Sequence, residues 1–102
     1  MSTKTFNYIF DPIAENKITE IFRYVSERLC NSKAALDLYN SFMEEINRLL
    51  NFPDSGEPRY EDIRRVPVKN YWLYYIPLYD IKMIYIVNIT HSSQKYENEK
   101  PV

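Results

Sequence analysis

DIRRVPVKNYWLYYIPLYDIKMIYIVNITHSSQKY, residues 62 to 96, carries β-branched and aromatic side chains at a density that surface loops do not hold. Within it, Val66 to Val68, Tyr71 to Ile76 and Met83 to Ile89 are short, rich in Val, Ile, Tyr and Trp, and read as half-buried strands. Lys69-Asn70 and Leu78-Tyr79-Asp80 connect them. Links this short require antiparallel neighbours, since a parallel return needs a crossover of about a dozen residues or more. The stretch is therefore a meander. In its last strand Met83, Tyr85, Val87 and Ile89 take one face and Ile84 and Ile86 the other, before Asn88 and Thr90 relieve the second set. A strand apolar on both faces belongs inside the sheet. Strict alternation puts His91 on the Met83/Tyr85/Val87/Ile89 face at the strand end, and puts Arg64 and Arg65 on opposite faces of the first strand. A candidate site therefore runs along one sheet face and its rim.

Upstream, Phe6 to Phe10 alternates Phe6, Tyr8 and Phe10 against Asn7 and Ile9, a short strand expected at an edge or flank of this sheet, its partner unread. Asp11-Pro12 then predicts a helix start: the carboxylate accepts from the first free N–H groups, and a proline at the first helical position gives up no hydrogen bond. Ile18, Ile21, Phe22, Val25 and Leu29 follow at helical spacing. Asn31 and Ser32 end that helix and cap a second one, which folds back with the stripe Ala35, Leu38, Phe42, Ile46 and Leu49. Tyr39, Met43 and Leu50 flank the stripe. Phe52-Pro53-Asp54-Ser55-Gly56 stops the second helix with a proline and turns at the only glycine. The fold class expected is α+β: an N-terminal strand, then an antiparallel two-helix hairpin packed on a mainly antiparallel sheet, in the order β-α-α-β-β-β.

With 102 residues the chain has room for one core, and residues 97 to 102 are polar and expected to fray. A hydrophobic content of 45%, with 16% aromatic residues, excludes a disordered chain, and no apolar run approaches the length of a membrane span. The N-terminus has no secretory signal pattern, so a cytoplasmic protein is expected. The formal net charge of −1 argues against a strong sequence-blind nucleic-acid binder. One glycine cannot build a phosphate-cradling loop or a dinucleotide fingerprint, and one His with one Cys gives no zinc spacing. No cofactor and no metal are expected. Cys30, near the apolar end of the first helix, reads as a buried inert thiol.

Taken together, LLNFPDSG at Leu49 to Gly56, IRRVPV at Ile63 to Val68, YWLYYI at Tyr71 to Ile76 and IVNITHSSQ at Ile86 to Gln94 follow a recognisable order and spacing. From about Tyr8 to Tyr96 the chain resembles the RelE/ParE family of bacterial toxins, the toxin halves of type II toxin–antitoxin modules. The resemblance implies a cognate antitoxin, a toxin–antitoxin hetero-oligomer and a role in growth arrest of the plasmid-stabilisation kind. It leaves two targets: RelE-like members are ribosome-dependent ribonucleases acting on mRNA, whereas ParE-like members inhibit DNA gyrase.

Cleavage by 2′-hydroxyl attack needs a proton acceptor, a proton donor and cations on the phosphate, each acid or base contributing about 10² to 10⁴ in rate. Gyrase inhibition needs a complementary surface. Arg65, or else Arg64, matches the arginine of the family's second strand, and His91 matches the histidine at the end of the last strand in ParE-like members. Tyr96 corresponds to a late tyrosine of the ribonucleases. The second arginine of RelE-like members falls at Ser92-Ser93-Gln94 here, which favours the ParE-like reading. Arg65, His91, Lys69 and Tyr96 remain the catalytic candidates if the chain cuts RNA. Each has a plain structural alternative: Arg65 pairing with Glu61 or Asp62, His91 as a satisfied strand-end residue, and the Tyr71, Trp72, Tyr74, Tyr75 group divided between core and interface. A third class is a degenerate member that binds only its antitoxin.

Overall fold

The computed structural model describes residues 5–92. The elements run β1 (Asn7–Phe10), α1 (Pro12–Arg23), a π-helical segment (Tyr24–Arg28), α2 (Ser32–Asn51), β2 (Glu57–Tyr60), β3 (Ile63–Val68), β4 (Tyr71–Leu78) and β5 (Met83–His91). Across the sheet the strand order is β1-β5-β4-β3-β2. Strands β2 to β5 form an antiparallel meander, and β1 joins β5 in parallel, Tyr8 opposite Ile84 and Phe10 opposite Ile86. The expected α+β architecture is present. β5 is interior as read, and β1 is an edge strand whose partner is now identified.

Local chemistry explains the first helix. Asp11 holds extended backbone, with φ −65° and ψ 147°, and accepts from the Ile13 N–H at 2.9 Å, while Pro12 opens α1. Its carboxylate also accepts from the Tyr85 hydroxyl, which ties the helix start to β5. Ala14, Val25, Leu38, Phe42, Ile46 and Leu49 then pack over Val66, Val68, Leu73, Tyr75, Ile84, Ile86 and Ile89. Two amphipathic stripes on one sheet face make the core, each large buried side chain contributing about 1.5 to 3 kcal/mol.

Four readings are corrected. Leu29 is 54% exposed rather than on the stripe, because the backbone widens into π-helical turns from Tyr24 and the added residue rotates Leu29 off the buried side. Cys30 comes next at φ 49° with its thiol exposed, so it is not a buried core thiol. β2 is a strand absent from the expected order. Its four residues are all exposed, it contains Pro58, and its register slips between Pro58 and Tyr60, as suits a protected sheet edge. β4 runs on to Leu78, so the link to β5 is Tyr79–Lys82; Pro77 is accommodated because β3 pairs with β4 no further than Tyr75.

With one glycine in the chain, tight connections use other residues in the left-handed region: Glu61 (φ 53°), Lys69 (φ 54°) and Lys82 (φ 51°). Gly56 has a different role. A Cβ there would sit 2.5 Å from the Tyr75 hydroxyl oxygen, so glycine is needed for close approach.

Candidate functional site

One irregularity decides which side chains share a face. Tyr74 pairs with Asn88 and Tyr75 with Ile86, which leaves Val87 as an extra residue in β5. Such a bulge reverses the alternation beyond it. Ile84, Ile86 and Ile89 are accordingly all buried under the helices. His91, opposite Tyr71, therefore lies on the helix side of the sheet and not on the Met83/Tyr85 face that unbroken alternation assigns it. Its ring meets Tyr71 edge-on at 5.0 Å, and Tyr71 in turn lies 5.9 Å from Phe42 of α2. His91 thus ends an aromatic chain that begins in the core. Burial raises the pKa of Tyr71 above its ordinary value.

Arg65 stands on the other face. It is opposite Tyr74 in the pairing, and its guanidinium carbon lies 3.6 Å from the centre of the Trp72 ring, two residues along β4 and diagonal across the ladder. Nε donates to Glu57 Oε1 at 3.1 Å and Nη1 to the Tyr74 hydroxyl at 3.4 Å. The carboxylate partner is Glu57, not Glu61 or Asp62, because β2 sets Glu57 directly opposite Arg65. Partial burial works against the charge, but the hydrogen bonds with Tyr74 and Glu57 outweigh it and the pKa is raised. A stacked, partly desolvated guanidinium of this kind gains about 1 to 2 kcal/mol from the ring.

Arg64 has a structural task. Its Nη1 donates to the carbonyls of Asp54 and Gly56, at 3.0 and 2.7 Å, on the helix side of the sheet. The Tyr75 hydroxyl completes the clasp, accepting from Gly56 N–H at 2.9 Å and donating to Pro53 O at 2.8 Å. Burial raises the Tyr75 pKa.

Among the described residues no helix covers the Arg65 face. Trp72, Tyr74, Ile76, Met83 and Tyr85 share it, Tyr74 buried and the others half-buried, an apolar and aromatic surface with one stacked cation. At its rim Lys17 of α1 donates to Asn88 Oδ1 (3.3 Å) and to Ile89 O (3.4 Å), closing the part of β5's edge that β1 leaves unpaired.

The sequence candidates fall into two places. Lys69 occupies the β3–β4 turn, four residues from Arg65 or about 13 Å along an extended strand. His91 is at that same end, where Ser92 N–H donates to Asn70 O at 2.8 Å. Arg65 is apart from both, across the sheet from His91. Tyr96 lies outside the described residues, as do Ser93-Gln94 and the segment 97–102. Glu57 went unread as a partner, because the pairing needs a β2 register that an exposed, proline-bearing segment does not announce.

A family model described as the ParE toxin of type II toxin–antitoxin systems, parDE, matches residues 8–96. Curated protein sequences give no significant match. Among solved structures, the fold is similar to a chain of the chromosomal ParDE system of P. aeruginosa, with a TM-score of 0.69, 15% identity, and 85% of this chain and 96% of that chain covered. It is also similar to the isolated E. coli RelE toxin (TM-score 0.59, 13% identity, 90% and 88% covered). The toxin–antitoxin complex RelBE2 of Mycobacterium tuberculosis contains another similar chain (TM-score 0.61, 12% identity, 86% and 99% covered). With its fold and its family pattern in agreement, the chain belongs to the ParE toxin family of type II toxin–antitoxin systems.

Proposed function

We propose that this chain arrests growth by binding, that its target is DNA gyrase, and that the uncovered sheet face around Trp72 and Arg65 is the surface that docks. The observation carrying this reading is the bulge at Val87, which sends His91 to the opposite side of the sheet from Arg65. Acid, base and phosphate-binding cation must converge within hydrogen-bond reach of one substrate to cut RNA. Here the cation is stacked on an indole and paired with a carboxylate, an arrangement suited to an interface anchor, where Trp, Tyr and Arg concentrate binding energy. A cognate antitoxin neutralises the toxin in a cytoplasmic hetero-oligomer, consistent with the ParDE and RelBE assemblies in which similar chains occur.

The ribonuclease alternative keeps one specific support. Glu57 lies 3.1 Å from Arg65 Nε, so a carboxylate base and a cation do stand together on the open face. The two readings separate in a paired assay. Purified protein added to a gyrase supercoiling reaction is expected to block supercoiling and to leave ribosome-bound message intact. Message cut at ribosome-exposed codons, with supercoiling unaffected, selects the ribonuclease; Glu57→Gln and Arg65→Ala would then abolish cutting.

A further inference from the structure

A cavity of about 230 Å³ lies outside the docking face, on the helix side of the sheet at the β2–β3 turn. Pro58, Glu61, Asp62, Arg64, Pro77 and Tyr79 line it. Its charge is lopsided. Glu61 and Asp62 form the tight β2–β3 turn, Glu61 in the left-handed region, so both carboxylates stand on a short, fixed connection. Arg64 is the one cation of the lining among the described residues, and its Nη1 is committed to the Asp54 and Gly56 carbonyls. Those carbonyls belong to the turn that Tyr75 clasps, so that wall is rigid as well. The remaining walls are apolar. Pro58 and Pro77 contribute ring carbons, and the Tyr79 ring, 54% exposed, is steadied by an edge contact with Phe6 at 5.8 Å.

We propose that this pocket receives an arginine side chain presented by a protein partner. A guanidinium is flat, stacks on tyrosine and proline faces, and offers a fork of donors that matches carboxylates. An acidic side chain would meet two like charges against the one guanidinium of Arg64, and an aliphatic one would offer the two carboxylates no donor. The volume falls below the usual range of about 300 to 1,000 Å³ for small-molecule and cofactor sites, and suits a single long side chain. The pocket and the Trp72 face lie on opposite sides of the sheet, so this assignment stands independently of the toxin's target.

The test uses the full chain, isotope-labelled, titrated by NMR with Nα-acetyl-arginine amide. Nα-acetyl-lysine amide and Nα-acetyl-glutamine amide serve as comparison probes. Saturable shifts confined to residues 57–64 and 77–82 are expected with the arginine probe, with affinity at least about fivefold above the lysine probe. Both E61Q and D62N, isosteric changes at exposed positions, should lower that affinity, and the double change by at least about fivefold, with melting temperature unchanged. Absent or dispersed shifts, an equal response to the lysine or glutamine probe, or full affinity in a folded E61Q/D62N chain would overturn the proposal. The comparison of probes needs no variant, so a variant that fails to fold leaves the test intact.

Discussion

Tyr74 and Tyr75 are neighbours in β4 and face opposite ways. Tyr75 points under the helices, fully buried, and its hydroxyl is used twice, by Gly56 and Pro53. Tyr74 points to the face without a helix, where it is 9% exposed beside Arg65 and Trp72 and its hydroxyl takes a long hydrogen bond from Arg65. The contrast teaches how a small toxin divides its labour. One face is closed by the helices and satisfied polar groups and fixes the fold; the other carries no helix among the described residues, holds the stacked Arg65, and is the surface we propose for docking.

The largest expected effect is on the closed face. Phe42→Ala should cost about 3 to 5 kcal/mol in urea unfolding, the range for truncating a buried aromatic, whereas Trp72→Ala, which removes a half-buried ring and its stacking on Arg65, should cost less, about 2 kcal/mol. Equal losses would erase the distinction between the faces. Next comes the paired comparison within β4. Tyr75→Phe strips partners from a buried N–H and a carbonyl and should cost about 1 to 3 kcal/mol, while Tyr74→Phe removes only a weak acceptor and should change stability little. A Tyr74→Phe loss as large as that of Tyr75→Phe would show the Arg65 cluster to be structural.

The contact between Asp11 and Tyr85 gives a pH signature. The Tyr85 hydroxyl, followed by the Ile13 N–H, lowers the Asp11 pKa in the folded chain. A depressed carboxylate contributes stability above its unfolded pKa of about 3.9, and that contribution is lost as pH falls through the folded value. Tyr85 is raised by the same hydrogen bond, so its share is present below its unfolded pKa of about 10 and is lost as pH rises through the folded value. In Asp11→Asn the acid limb of the stability profile should therefore be shallower; an unchanged limb would show that the contact carries no linkage. The smallest effect is at the turns. Lys69→Gly and Lys82→Gly exchange left-handed strain for glycine entropy, and each should stabilise by about 0.5 kcal/mol in thermal melts.

Much of the architecture could be read because its signals are local. Asp11-Pro12 announces a helix start within two residues, the Leu38/Phe42/Ile46/Leu49 stripe repeats, and Lys69-Asn70 allows only a hairpin. The site was less legible because its determinants are not local. Val87 is an apolar residue in an apolar run, so nothing in the sequence marks it as the unpaired one that reverses His91. The Glu57 partnership depends on an edge strand whose exposed residues carry no periodicity. The π-helical turns that expose Leu29 and Cys30 occur inside a stretch with ordinary helical spacing.

The most direct test of docking through the uncovered face is gyrase supercoiling in the presence of the Arg65→Ala/Trp72→Ala chain, with its folding checked by thermal melt. Docking predicts that the wild-type chain blocks supercoiling and that the folded double variant does not. Full inhibition by that variant, or no inhibition by the wild-type chain, would contradict it.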